Sequence, residues 1–161
     1  MVGVGAVLIE DGRVLLIKRA KPPLLGHWSL PGGTVEAGES LEQALQREMR
    51  EETQLDVRVG PLVAAFDRIE REDGRLLYHY VILDFLCERV AGEARAGSDA
   101  AAVAWAASHE LAGYDLAPKA LEVVTEGLRM ARAAALDEGP IPKPATPAEN
   151  PRPPQSDGGR R

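Results

Sequence analysis

Three glutamates, Glu48, Glu51 and Glu52, stand at spacings i, i+3 and i+4 within the run Arg47 to Thr53. On a helix that advances about 100° per residue, with Leu41 as origin, they fall at about 340°, 280° and 20°. Ala44 and Leu45 fall at about 300° and 40° on the same projection. The carboxylates therefore continue the apolar, inward face, while Gln43, Gln46, Arg47 and Arg50 take the outward side. The ordinary reading of a charge-rich helix is a solvated face laced by i,i+4 ion pairs. That reading does not account for three like charges packed inward, where repulsion and desolvation raise their pKa values and cost stability. A divalent cation relieves both. Hard Mg²⁺ or Mn²⁺ prefers carboxylate oxygens and keeps waters for a phosphorylated substrate. Arg47, four residues before Glu51, is placed to hold or orient one of the carboxylates.

The elements that must position this helix follow from the surrounding pattern. Ser40 and Gln43 fit a capping box, so the helix is expected from Ser40 to about Thr53. Residues 20–39 hold Pro22, Pro23, Gly26, Pro31, Gly32, Gly33 and Gly38 and read as a long structured loop, a type that is usually functional. Gly32-Gly33 permits close backbone approach and positive φ, which suits a carbonyl aimed at a metal. Before the loop, Val2 to Ile9 and "RVLLIKR" flank Asp11-Gly12 and predict a strand pair. After the helix, "LDVRVGPLVAAFDRIER" predicts a strand bent at Gly60-Pro61. Asp73-Gly74 marks a turn, and "LLYHYVILDFLC" is the strongest buried strand. A short strand is expected around Val103 to Ala106. A second helix is expected from Pro118 to about Leu136, with Leu121, Val124 and Leu128 as its core stripe.

The chain has 161 residues, 45% of them hydrophobic, which favours a single domain with a real core. The domain is expected to span 1–136. Residues 137–161 are rich in proline and poor in large apolar side chains, and predict a disordered tail. A formal net charge of −6 argues against a general nucleic-acid or membrane-surface binder. No apolar run approaches the roughly 20 residues needed to span a membrane, and the N-terminus lacks a signal-peptide pattern. A cytoplasmic location is expected. The single cysteine, Cys87, lies in an apolar run and reads as a buried core thiol.

Gly33 to Leu55, "GTVEAGESLEQALQREMREETQL", resembles the Nudix box, G-x5-E-x7-R-E-U-x-E-E-x-G-U with U a bulky apolar residue. Gly33, Glu39, Arg47, Glu48, Met49, Glu51, Glu52 and Leu55 match, and Gln54 stands where the pattern has glycine. A left-handed C-cap favours glycine there, so Gln54 is expected to strain or alter the helix exit. Eight matched positions at fixed spacing are a far more specific signal than a lone glycine motif. The resemblance covers about residues 2–130.

It implies an α/β fold, a Nudix-type α/β/α sandwich with a mixed β-sheet and a loop–helix catalytic box. It implies a pyrophosphohydrolase that cleaves a nucleoside diphosphate linked to another moiety. By position it makes Glu48, Glu51 and Glu52 the ligands of Mg²⁺ or Mn²⁺ and the Gly32 carbonyl a further candidate. It leaves Glu39, Arg47 and Gly33 to hold loop and helix together, and leaves open which residue is the general base. Arg19 ends the second strand, where similar proteins often place a substrate-phosphate ligand. The implied partner is a small nucleotide; many similar proteins are homodimers, and no interface signature stands out here.

Other residues read more simply. Asp99 and Glu93 read as solvated loop carboxylates, with an extra acidic ligand or base as the alternative the resemblance offers; Trp28 and Trp105 read as packing residues before base-stacking ones, and Tyr78 and Tyr80, on one strand face, as core before the lining of a base pocket. His27, His79 and His109 lack metal-ligand spacing. Three rival functions stand beside a hydrolase of the ADP-ribose or nucleotide-sugar type. A (d)NTP pyrophosphohydrolase is comparable. A non-catalytic nucleotide sensor could lose the glutamates, which are all present. An isomerase of isoprenoid diphosphates would need an active-site cysteine, which Cys87 does not resemble.

Overall fold

The computed structural model describes residues 1–22 and 24–137. Strands β1 (Val2–Glu10) and β2 (Arg13–Arg19) meet across Asp11-Gly12. Strands β5 (Asp56–Glu72) and β6 (Arg75–Ala91) meet across Asp73-Gly74. All four turn residues have positive φ, between 48° and 78°, as two-residue hairpin loops require. Strand β6 lies parallel to β1 from Val2↔Val81 to Leu8↔Cys87, the only parallel pairing among the described residues, so the sheet is mixed. Strand β7 (Ala100–Ala107) pairs with β2 and leads into a 3-10 segment, Ser108–Tyr114.

Helix α1 (Leu41–Thr53) packs on one face of this sheet and α2 (Pro118–Asp137) on the other. Alternation along β1 feeds both layers. Val4, Ala6 and Leu8 join Ala44, Leu45 and Met49 of α1, whereas Val7 joins Val123, Val124 and Leu128 of α2. The capping box is present: Gln43 N donates to Ser40 Oγ at 3.1 Å, and Ser40 N donates to Gln43 Oε1 at 2.8 Å.

Several expectations change. The loop at 20–39 contains two short strands, β3 (Trp28–Ser29) on β2 and β4 (Gly32–Thr34) on β1. Two or three residues are too few to show an alternating pattern. The bend at Gly60-Pro61 is a register shift inside one continuous 17-residue strand. Leu121 is 42% exposed; the buried stripe of α2 is Val123, Val124, Gly127 and Leu128. Gly127 sets that rotation, because a side chain there would run into Val7. Tyr78 and Tyr80 are not core: they are half-buried on the open end of β6. Cys87 is buried on the α1 side, and burial pushes its thiol up to about 12. The expected tail lies, beyond Asp137, outside the described residues. No described helix is long and apolar enough to cross a membrane.

Gln54 occupies the left-handed C-cap of α1 at φ 60°, ψ 23°, with its N–H on Arg50 O at 3.0 Å. Its side chain donates to Ala96 O at 3.2 Å. A left-handed non-glycine residue costs about 1–2 kcal/mol, and glycine's freedom in the unfolded chain returns about 0.4–1 kcal/mol of that. Gln54→Gly is therefore expected to stabilise the protein by about 0.5 kcal/mol, read as a small rise in urea midpoint.

Candidate active site

Helix α1 and the β4 ribbon bring the box residues together. Glu52 is 4% exposed, and its Oε2 accepts from Gly32 N–H at 2.7 Å. Burial pushes its carboxyl up to about 8; the Gly32 N–H opposes the shift, the charge of Glu48 adds to it and that of Arg19 opposes it. The Glu48 side chain is 12% exposed and is also pushed up by burial, against the pull of Arg47. Glu51 is more open, at 41%.

Arg47 was expected on the outward side of the helix. Its side chain instead turns back across the loop and is 24% exposed. Nε and Nη2 grip both oxygens of Glu39 at 2.8 and 3.0 Å, and Nη2 also reaches Thr34 O at 3.0 Å. Nη1 donates to Glu48 at 2.8 Å and Glu51 at 3.3 Å. Arg47 and the Glu36 N–H hold the Glu39 carboxyl down to about 2.

Glu48, Glu51 and Glu52 share a helix face but turn to two partners, Arg47 and Gly32. Among the described residues no three His, Cys, Asp or Glu side chains stand close enough to hold one ion. Gly32, at φ 147°, meets the cluster through its N–H. The donor set nonetheless fits Mg²⁺ or Mn²⁺: all its atoms are hard oxygens, and two of its carboxyls are desolvated and repel each other. A side chain at Gly33 would overlap the Glu48 carboxyl, so that glycine keeps room for it.

Behind Gly32-Gly33 opens a cleft of about 970 Å³, bounded by the α2 face of the sheet and the start of α2. Arg19 lines it, and its Nε is buried without a partner. Trp28, Phe66, Tyr78 and Tyr80 form aromatic walls. Trp28 does pack, edge-on to Tyr114 at 5.1 Å, but it also faces the cleft. Trp105 is partly buried against the α1-side core. His27 lines the cleft, His79 pairs with Asp67 at 2.6 Å on the surface, and His109 is exposed. Asp99 pairs with Lys21 at 2.5 Å, and its charge helps to raise Glu48 and Glu52. Glu93 pairs with Arg95 in solvent.

Sequence reasoning passed over Asp84. It is 5% exposed, lines the cleft, and burial pushes it up to about 6. Its signal was present: one acid inside the otherwise apolar "YVILDFLC".

The two box glycines differ in what a side chain would meet. At Gly32 it would strike the Val4 backbone, at Gly33 only the end of Glu48. Gly32→Ala is expected to destabilise by about 2 kcal/mol or more, and Gly33→Ala by under about 1 kcal/mol while displacing Glu48. Urea unfolding of both variants checks this.

The model of the NUDIX domain matches residues 1–126. An ADP-ribose pyrophosphatase of Methanocaldococcus jannaschii is 37% identical over 99 residues, 62% of this chain but only 57% of the archaeal protein's length. The CTP pyrophosphohydrolase of Escherichia coli is 36% identical over 136 residues, covering 81% of this chain and 95% of that enzyme. Among solved structures, a MutT NUDIX hydrolase from Burkholderia pseudomallei superposes with a TM-score of 0.68 at 34% identity, over 78% of this chain and 95% of that one. Domain match, relatives and fold agree with the box read from Gly33 to Leu55: the chain belongs to the Nudix family.

Proposed function

We propose that this chain hydrolyses the pyrophosphate bond of a nucleoside diphosphate linked to a second moiety, of the ADP-ribose or nucleotide-sugar type. Glu48, Glu51 and Glu52 would hold Mg²⁺, with the Gly32 carbonyl a further ligand; Mn²⁺ suits the same oxygens. The observation that carries this reading is the desolvated pair Glu48 and Glu52 beside Gly32-Gly33, at the edge of an aromatic-walled cleft. A bound divalent ion at such a site supplies charge neutralisation on phosphate oxygens and a more acidic water.

The chain's own residues do the rest. Arg47 fixes Glu48 and ties it to the loop through Glu39. Arg19 Nε, buried in the cleft without a partner, is suited to a phosphate oxygen. The aromatic walls suit the base. The names of the two curated relatives support a nucleotide anhydride as substrate. The near full-length match to the E. coli enzyme favours a second reading, a nucleoside triphosphate of the CTP type.

The test is turnover of ADP-ribose, nucleotide sugars, dinucleoside polyphosphates and (d)NTPs with Mg²⁺, by phosphatase-coupled phosphate release. Turnover of the first two classes is expected; no Mg²⁺- or Mn²⁺-dependent turnover of any compound sinks the reading. Glu52→Gln keeps an acceptor for Gly32 N–H but loses a ligand charge. It is expected to lower kcat by about a hundredfold or more without loss of stability, because it removes a desolvated acid. Wild-type rates in that variant would overturn the metal assignment.

A further inference from the structure

The face of β1 and β6 that looks toward α2 carries polar groups that the glutamate cluster does not use. Tyr78, Tyr80, Ile82 and Asp84 alternate onto that face of β6. The parallel register sets Gly3 beside Ile82 and Gly5 beside Asp84. A side chain at Gly3 would touch Ile82 and Tyr80 at 3.6 and 3.7 Å, and one at Gly5 would overlap Asp84 Oδ1. The two glycines thus form a cleft floor, and the second leaves room for the Asp84 carboxyl.

Packing gives no reason for an acid at this position. Asp84 is 95% buried, and its neighbours on that face, Ile82 and Leu86, are apolar. No hydrogen bond or ion pair reaches its carboxyl among the described residues; burial alone perturbs it. Two buried polar atoms that line the same cleft, Arg19 Nε and Ser29 Oγ, have no hydrogen-bond partner among the described residues. Buried polar groups are nearly always satisfied, so two orphaned atoms and an unpaired carboxyl lining one cleft mark places where a ligand completes the bonding.

We propose that Asp84 reads the nucleobase, accepting a hydrogen bond from the exocyclic amino group of an adenine- or cytosine-type base held between Phe66, Tyr80 and Trp28. The inference rests on the reading of the chain as a nucleotide pyrophosphohydrolase and names the part of the substrate it selects. An ionised carboxylate is an acceptor only. It matches the amino groups of adenine and cytosine, and it opposes the carbonyl oxygen that hypoxanthine or uracil presents at the same place. A buried acceptor facing an acceptor leaves both unpaired, which is how polar sites reject near-isosteric ligands. Asparagine at this position offers one donor and one acceptor and so accommodates either edge.

The test compares ligands that differ at that group: ADP-ribose with its hypoxanthine counterpart, and CTP with UTP. Affinities are measured by calorimetry in EDTA and kcat/KM with Mg²⁺, for wild type and Asp84→Asn. The wild type is expected to favour the amino-bearing partner of each pair by about tenfold or more, and Asp84→Asn to shrink both ratios to about threefold or less. A wild-type ratio near one overturns the inference without any variant having to fold, and so does a ratio that Asp84→Asn leaves intact. If Asp84→Asn instead weakens ribonucleotides and spares their 2′-deoxy counterparts, the carboxyl holds the ribose and the base assignment is wrong. Mg²⁺-dependent hydrolysis without base preference removes this inference alone; absence of any nucleotide turnover removes the functional reading with it.

Discussion

Arg47 joins groups that the chain supplies from three separate places. Thr34 comes from β4, Glu39 from the loop before α1, and Glu48 and Glu51 from α1 itself. One guanidinium therefore fixes strand, loop and helix against one another. The grip on Glu39 uses Nε and Nη2 on both carboxylate oxygens, the fork geometry that lysine's single point charge cannot reproduce. It is three-quarters buried, so solvent and salt screen it less than a surface pair. Without it, Glu39, Glu48 and Glu51 would lose the cation they share.

A second constraint is the absence of side chains where acidic groups must fit. Gly33 leaves space for the Glu48 carboxyl, and Gly5 leaves space for Asp84. Strand β1 is the hinge of this arrangement in a topological sense. Its even residues Val4, Ala6 and Leu8 build the α1-side core, Val7 builds the α2-side core, and Gly3 and Gly5 floor the cleft. One strand thus couples the packing beneath the glutamate helix to the cleft on the opposite face.

Much of this was legible in the residues themselves. The Asp-Gly turns, the capping box and the inward course of Glu48 and Glu52 each have a local physical cause, and local causes can be read without a fold; Glu51, at the margin of that face, stays more open. The left-handed position of Gln54 was legible only through the resemblance, whose pattern has glycine there, and it takes the strained conformation rather than an altered exit. The turning-back of Arg47 was not, because a helical projection places Cα atoms and says nothing about a long side chain that can reach across a neighbouring loop. Strands β3 and β4 escaped because pairing with β2 and β1, not their own sequence, makes them strands. The rotation of α2 depends on Gly127 meeting Val7, two residues far apart in the chain. Asp84 was passed over, and its meaning required knowing that Gly5 stands beside it.

The buried carboxyls form a graded series in how far the protein itself satisfies them. Glu48 has Arg47, Glu52 has one backbone N–H, and Asp84 has no donor among the described residues. Burial raises all three, so the folded chain holds their protons more tightly than the unfolded chain does. Such groups withdraw stability as pH rises from about 4, the unfolded value, through the folded values of about 6 for Asp84 and about 8 for Glu52. At neutral pH the fold therefore bears acids that its own packing does not require, and the apolar layers on either side of β1 must offset them. A core position free of function would lose nothing by replacing such an acid with an apolar residue. Their placement along the Gly32-Gly33 ribbon and the cleft floor behind it agrees with the two sites proposed above, a cation at the end of α1 and a base over β1 and β6.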